Sequence, residues 1–237
     1  MTTLVLLPGL DGTGTLFGPL LEALAGKLRV TVLSYPADRA LGYDALEALA
    51  EAALPAQGPL VLLGESFSGP LAVSLAAKHP GRVVGLVLCC TFVRNPRPLL
   101  GLLRALLPFV PFGQVPLPLM AGVLHGRFDN PSLRAGLARA LERVPAAVLR
   151  ARLRSVVDVD ATPRLNQVVC PVLYLQADED LVVPASAGRF IVRRHPPTEV
   201  LRLAGPHALL QVMPEECAKV LAAFVGDAGS ASANARR

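Results

Sequence analysis

The sequence predicts an α/β domain built on a mostly parallel sheet, and three features predict it. Short apolar runs bounded by glycine and proline alternate with segments whose apolar residues recur at helical spacing. The composition, 52% hydrophobic and 17% charged over 237 residues, supports one sizeable core. One long stretch, residues 93–165, interrupts the alternation without any strand-like run. Aromatic residues are 5% and tryptophan is absent, so packing has to rest on Leu, Val and Ala.

Strands are predicted at 3–7, 29–34, 60–63, 83–89, 172–176 and 198–203, and helices at 16–26, 43–54, 69–79, 185–194 and 214–225. The first apolar run ends at Pro8. The third, Leu60 to Leu63, is continuous and flanked by Pro59 and Gly64, as a strand covered on both faces should be. In the helix after it, Leu71, Ala72, Leu75 and Ala76 mark one face, and His79 in Lys-His-Pro-Gly closes the end where a cation is favourable. His195, in Arg-Arg-His-Pro-Pro, closes a later helix in the same way. Within the interruption, Asp129-Asn130-Pro131 starts a helix with Leu133, Leu137 and Leu141 on one side, and a second helix follows Pro145. The last residues, 226–237, are small and polar and are expected to be a disordered tail.

The chemistry centres on Gly64-Glu65-Ser66-Phe67-Ser68-Gly69. A serine on a tight strand-to-helix turn has its hydroxyl pushed out of the fold, and the N–H of the following residue, Phe67, stays free to meet an oxyanion. The motif departs from Gly-x-Ser-x-Gly by placing Ser68 where the second glycine belongs. A small-residue turn closing a β–α unit is the plain alternative, so the partners decide. Ser66 as nucleophile requires an acid and then a histidine further along. Of His79, His125, His195 and His207, only His207 follows a late strand, and the loop after the strand at 172–176 offers Asp178, Glu179 and Asp180 together.

With these residues the chain resembles the alpha/beta-hydrolase superfamily from Leu4 to about Val225. The resemblance implies an alpha/beta-hydrolase fold with a minimal six-stranded, mostly parallel sheet that begins at the family's third strand. It divides the chain into a core of 1–92 and 166–225 and a helical cap of 93–165 that covers Ser66. It also selects Asp180, four residues before Pro184 in an Asp-x-x-Val-Pro segment, as the triad acid, with Asp178 as the competing choice. Leu4-Val-Leu-Leu-Pro-Gly-Leu-Asp-Gly-Thr-Gly14 is similar to the strand and loop carrying the other half of the oxyanion hole, with Pro8 in place of a histidine. This assigns the second backbone donor to Leu10. A dinucleotide-binding turn is disfavoured because Gly9, Gly12 and Gly14 do not have its spacing. The Pro-Gly-Leu-Asp-Gly-Thr-Gly wording is also similar to phytyl ester synthase-like proteins, and the chain's small size to pimeloyl-acyl-carrier-protein methyl ester esterases.

The implied reaction is ester hydrolysis by a Ser66–His207–Asp180 triad through an acyl-enzyme, with no metal and no organic cofactor. A thioesterase or acyltransferase with the same triad is the first alternative; a ligand-binding or scaffolding protein on a hydrolase fold is the second. The segment from Pro98 to Leu124 carries one charge, Arg104, and is broken by Pro108, Pro111, Pro116 and Pro118, which excludes a transmembrane helix. It is read equally as a segment that lines an acyl pocket or dips into a lipid surface, or as the cap's own packing. The interruption holds eleven arginines against four acids, a larger excess than the +5 of the whole chain. An acidic acyl carrier protein or an anionic substrate group would suit such a cap, and a solvated arginine face is the plainer reading. His125 is read as a cap packing or surface residue. Nucleic acid is not expected, since neither a binding motif nor interleaved aromatics accompany the charge. No secretory signal is visible at Met1-Thr-Thr-Leu-Val-Leu-Leu-Pro, so a cytoplasmic protein is expected. Cys89, Cys90, Cys170 and Cys217 lack metal-ligand spacing and read as small buried apolar residues.

Overall fold

A computed structural model describes residues 1–98 and 115–234. Much of the proline-broken apolar stretch of the insertion, and Arg104 with it, therefore lies outside the described residues. Six strands form one sheet: β1 (Thr3–Leu7), β2 (Arg29–Val32), β3 (Leu60–Glu65), β4 (Val83–Cys89), β5 (Val172–Ala177) and β6 (Glu199–Leu203). Their order is β2-β1-β3-β4-β5-β6, and every neighbouring pair is parallel. Each strand reaches the next through a crossover, so helices α1 (Gly18–Leu24), α2 (Tyr43–Ala52), α3 (Gly69–Lys78), α8 (Ala185–Arg194) and α10 (Pro214–Asn234) cover the sheet. The fold is the one the alternation predicts, with strand and helix limits displaced by no more than a few residues except at the C-terminus.

Side chains alternate across the sheet and supply two cores. Val5, Leu7, Leu60, Leu62, Leu86 and Leu88 face Leu46 of α2, Leu71 and Leu75 of α3, and Ile191 of α8. Leu4, Leu6, Val61, Leu63, Val87 and Leu175 face Leu20 and Leu24 of α1 and Cys217, Leu221 and Val225 of α10. Strands β1 and β3 are buried along their whole length, whereas the edge strands β2 and β6 are partly exposed. All four cysteines are buried and free, as their spacing suggested.

One expectation is corrected. Residues 226–234, read as part of a disordered tail, continue helix α10 to Asn234; residues 235–237 lie outside the described residues. The reason is packing. Gly85 of β4 has no side chain, and a Cβ there would meet Phe224 at 2.9 Å and Ala228 at 3.3 Å, while a Cβ on Gly229 would meet Thr2 Oγ1 at 2.6 Å. The small residues that resemble a tail in composition are what lets the helix lie close to the sheet, and Ala228 is buried there.

Between β4 and β5 the chain leaves the sheet and returns at adjacent points, tied by an antiparallel bridge between Arg94 and Asp160 and by Ala161 N–H to Val93 O at 2.7 Å. The described part of this insertion is helical: α4 (Leu117–His125), α5 (Pro131–Glu142), α6 (Ala146–Asp158) and α7 (Thr162–Leu165). Asn130 caps α5, its Oδ1 accepting from Leu133 N–H at 3.0 Å, with Pro131 in the first turn. A short helix α9 (Leu209–Val212) follows the loop after β6. No helix among the described residues is long and apolar enough to cross a membrane.

Candidate active site

Strand β3 ends at Glu65, a 3-10 turn covers Ser66–Ser68, and α3 starts at Gly69. Ser66 sits at φ 48°, in the left-handed region that a non-glycine residue rarely occupies. Tight neighbours hold it there. A Cβ on Gly64 would lie 2.7 Å from Ser68 O, and one on Gly69 would collide with Thr91 Oγ1, which itself donates to Ser66 O. The glycine that this turn needs is therefore Gly69, where Thr91 crosses behind the helix start. Ser68 fills the position before it: its Oγ donates to Pro8 O and lies 2.6 Å from Tyr35 Oη. The departure from Gly-x-Ser-x-Gly thus joins the Ser66 turn to the loop after β1.

The three side chains singled out in the sequence meet at the carboxyl ends of β3, β5 and β6. Ser66 Oγ is 2.8 Å from His207 Nε2, and His207 Nδ1 is 2.8 Å from Asp180 Oδ2. Asp180 Oδ1 accepts the N–H groups of Val182 and Val183, both at 2.8 Å, so the carboxylate is fixed from both sides. His207 and Asp180 are buried, at 8% and 5% side-chain exposure. The neighbouring acids point elsewhere: Asp178 pairs with Arg202 at 2.7 Å and Glu179 with Arg127 at 2.8 Å, both on the surface. The structure thus brings Asp180, and neither Asp178 nor Glu179, to His207.

The Gly9–Gly14 loop lies beside Ser66. Gly12 N–H bonds to Gly9 O at 3.0 Å, and Gly12 and Gly14 have φ of 69° and 72°. Asp11 Oδ2 accepts Thr13 N–H at 2.8 Å and also the Thr13 hydroxyl, which closes the turn. Among the described residues, no turn or loop hydrogen bond occupies the N–H of Leu10 or Phe67. Phe67 is clamped by stacking on Tyr43, with ring centroids 4.6 Å apart, and its carbonyl accepts the Tyr43 hydroxyl at 2.8 Å.

Glu65, which the sequence did not single out, is buried next to Ser66 and lines the same cavity. Its Oε1 accepts Gln211 Nε2 at 2.9 Å. Burial pushes its pKa up to about 7, with the Asp11 charge adding to the rise and the Gln211, His207 and Gly9 contacts opposing it. Native Glu65 therefore holds its proton up to about pH 7, whereas the unfolded chain loses it near 4.5. Its contribution to stability is complete below pH 4.5 and is lost as the pH rises to 7, a change of roughly 3 kcal/mol. Glu65→Gln keeps the acceptor for Gln211 and carries no charge. Its unfolding free energy relative to the native protein should rise by about that amount between pH 4.5 and 7.5, measured by urea titration at each pH. Identical pH slopes in the two proteins would count against a buried, protonated Glu65.

A cavity of about 800 Å³ stands over Ser66 and His207, and residues of the insertion form part of its wall. Its wall is mainly apolar, including Leu16, Met120, Val123, Leu137, Leu149 and Leu153. His125 also lines it, buried, with Nδ1 2.9 Å from Asp129 Oδ1, and Arg134 holds the other oxygen of that carboxylate. The end of α4 is docked on the His207 loop by Ala208 N–H to Leu124 O at 2.9 Å. Several of the insertion's arginines are used internally. Arg97 donates to the carbonyls of Leu181 and Val182, Arg127 and Arg134 pair with acids, and Arg152 is fully buried. No group of three or more His, Cys, Asp or Glu side chains among the described residues is placed to hold a metal ion.

A hydrogen-bonded serine, histidine and aspartate at the carboxyl ends of a parallel sheet define the class of the α/β hydrolases. The chain belongs to the Alpha/beta hydrolase family, whose model matches residues 4–220. A pimeloyl-[acyl-carrier protein] methyl ester esterase of Aromatoleum aromaticum is 30% identical over 208 residues, covering 74% of this chain and 78% of that protein. A pyrethroid hydrolase of Sphingobium wenxiniae is 30% identical over 190 residues, covering 71% of this chain and 64% of that protein. Among solved structures, the enol-lactonase from Burkholderia xenovorans LB400 superposes with a TM-score of 0.82 at 17% identity, covering 95% of this chain and 91% of that one, a likeness of fold.

Proposed function

We propose that this hydrolase cleaves carboxylic esters of apolar acyl groups through an acyl-enzyme on Ser66. The observation that carries the reading is the unbroken hydrogen-bonded chain from Ser66 to His207 to Asp180 at the floor of an apolar cavity. Nε2 of His207 takes the Ser66 proton as Oγ attacks the ester carbonyl, and the N–H groups of Leu10 and Phe67 receive the oxyanion. Asp180 holds the ring in the tautomer that leaves Nε2 free to accept and stabilises the imidazolium that forms. The imidazolium then gives its proton to the departing alcohol oxygen. Water attacks the acyl-enzyme with the same histidine as base, and Ser66 leaves with its proton restored.

The cavity wall supports an acyl group of several carbons. The arginine excess of the insertion, together with the esterase relative whose name includes an acyl carrier protein, supports a carrier-bound acyl ester as the physiological form. The test is hydrolysis of p-nitrophenyl esters from acetate to palmitate. Burial of each added methylene contributes about 0.8 kcal/mol, close to fourfold in kcat/KM, so specificity should climb steeply from acetate to a medium-chain optimum. A profile that falls from acetate onward would contradict an acyl-binding cavity. A thioester of the same acyl group turning over faster than the ester, or an added alcohol taking the acyl group in preference to water, would move the assignment to thioesterase or acyltransferase.

A further inference from the structure

Arg152 lies in the middle of α6, within the insertion, and its side chain is fully buried. A guanidinium withdrawn from water costs several kcal/mol unless its donors are met. Here backbone carbonyls meet Nη1 and Nη2, while Nε is buried without a partner. Nη1 donates to Leu10 O at 2.9 Å and to Asp11 O at 2.6 Å, and Nη2 donates to Pro36 O at 3.0 Å, with the Tyr35 ring 5.7 Å from the guanidinium carbon. Gly12 makes the approach possible: a Cβ there would stand 2.5 Å from Nη1, and its φ of 69° belongs to glycine. Leu10 O and Asp11 O belong to the two peptide planes that directly follow the one carrying the Leu10 N–H, and Pro36 O ties the same guanidinium to the segment after β2. A packing role alone would be served as well by an apolar side chain of similar volume, without the desolvation cost.

We propose that Arg152 is a positioning residue for the oxyanion loop, holding the Leu10 N–H toward the carbonyl above Ser66 and making that geometry depend on the seating of the insertion helix α6. This rests on the acyl-transfer reading of Ser66. Loss of one oxyanion donor lowers turnover by about 100-fold to 1,000-fold, and a donor left in place but released from its brace should lose part of that.

The experiment uses the full chain with Arg152→Met and Arg152→Lys, each checked for folding by thermal unfolding. Three quantities are read: kcat and KM on p-nitrophenyl butyrate, the pH midpoint of kcat/KM, and the affinity for n-butylboronic acid. In that complex a lone pair of Ser66 Oγ forms the O–B bond, the serine proton passes to His207, and the boronate becomes a tetrahedral anion facing the same donors. Arg152→Met should lose about 30-fold to 100-fold in kcat with KM within about threefold, and boronate affinity should fall in parallel. Arg152→Lys, still able to reach a carbonyl, should recover part of both losses, and the pH midpoint should not move in either variant. Folded variants with native kcat, a loss confined to KM, or a loss in kcat with unchanged boronate affinity would each overturn the proposal. Failure of both variants to fold would assign Arg152 to the core alone and overturn it as well. If the native protein shows no Ser66-dependent boronate binding, the acyl-transfer reading fails and takes this inference with it. Native binding that is equal in the folded variants overturns only the role of Arg152.

Discussion

Ser66→Ala is expected to reduce p-nitrophenyl ester hydrolysis by about 10,000-fold or more while leaving the protein folded. The size follows from the proposed mechanism, in which Oγ would form and break the acyl bond with no neighbouring hydroxyl to replace it. The hydroxyls of Ser68 and Thr91 around this turn are already engaged: Ser68 is buried and donates to Pro8 O, and Thr91 donates to the carbonyl of Ser66. The fold should survive because Ser66 Oγ bonds to His207 across the site rather than to the packing around it. Unfolding curves that overlay those of the native protein to within about 1 kcal/mol would establish that the loss is chemical. Equal activity in the two proteins would remove the serine mechanism altogether.

Asp180→Asn is expected to cost about 10,000-fold in kcat, with Asp178→Asn within about twofold of native. An asparagine at position 180 can turn its amide N–H toward His207 Nδ1. The ring proton then sits on Nε2, so that the nitrogen facing Ser66 can no longer accept the hydroxyl proton. The Val182 and Val183 N–H groups still find an acceptor in the amide oxygen, so the loop should hold. Asp178, by contrast, loses an exposed pair with Arg202 that contributes less than about 1 kcal/mol. Measuring kcat for both variants separates the two aspartates directly. A large loss for Asp178→Asn with little for Asp180→Asn would reverse the assignment of the acid.

Much of this site is legible in the chain because the chemistry needs local patterns. An apolar run of four to six residues, a glycine-bounded turn and a helical repeat are adjacent in sequence, so Ser66 and the Phe67 N–H follow from residues 60–76 alone. Loop acids are harder. Asp178, Glu179 and Asp180 are indistinguishable by composition, and which one meets His207 depends on Arg202 from β6 taking Asp178 and on Arg127 from the insertion taking Glu179. Glu65 is not singled out by the sequence because its raised pKa comes from burial in the folded chain and from the Asp11 charge, with the Gln211 bond opposing the rise, and neither residue is near it in sequence. His125, read as a cap packing or surface residue, is buried against Asp129, and the return of α4 to the His207 loop also places it in the cavity wall. The end of α10 was misread for a related reason: alanine, glycine and serine describe both a free tail and a helix face pressed on a sheet, and only the bare surface at Gly85 distinguishes them.

By itself, then, the sequence determined the α/β alternation, the parallel character of the sheet, the nucleophile turn and the late histidine. Each is set by neighbouring residues, through hydrophobic periodicity, glycine conformational freedom and the order in which strands and helices must follow one another. The tertiary structure decided the rest: the strand order, the contact of Asp180 rather than Asp178 or Glu179 with His207, the buried carboxyl beside Ser66 and the arginine that grips the Gly9–Gly14 loop. Those features depend on desolvation and on hydrogen bonds between segments as far apart as Leu10 and Arg152, and such energies exist only once the chain has closed around them.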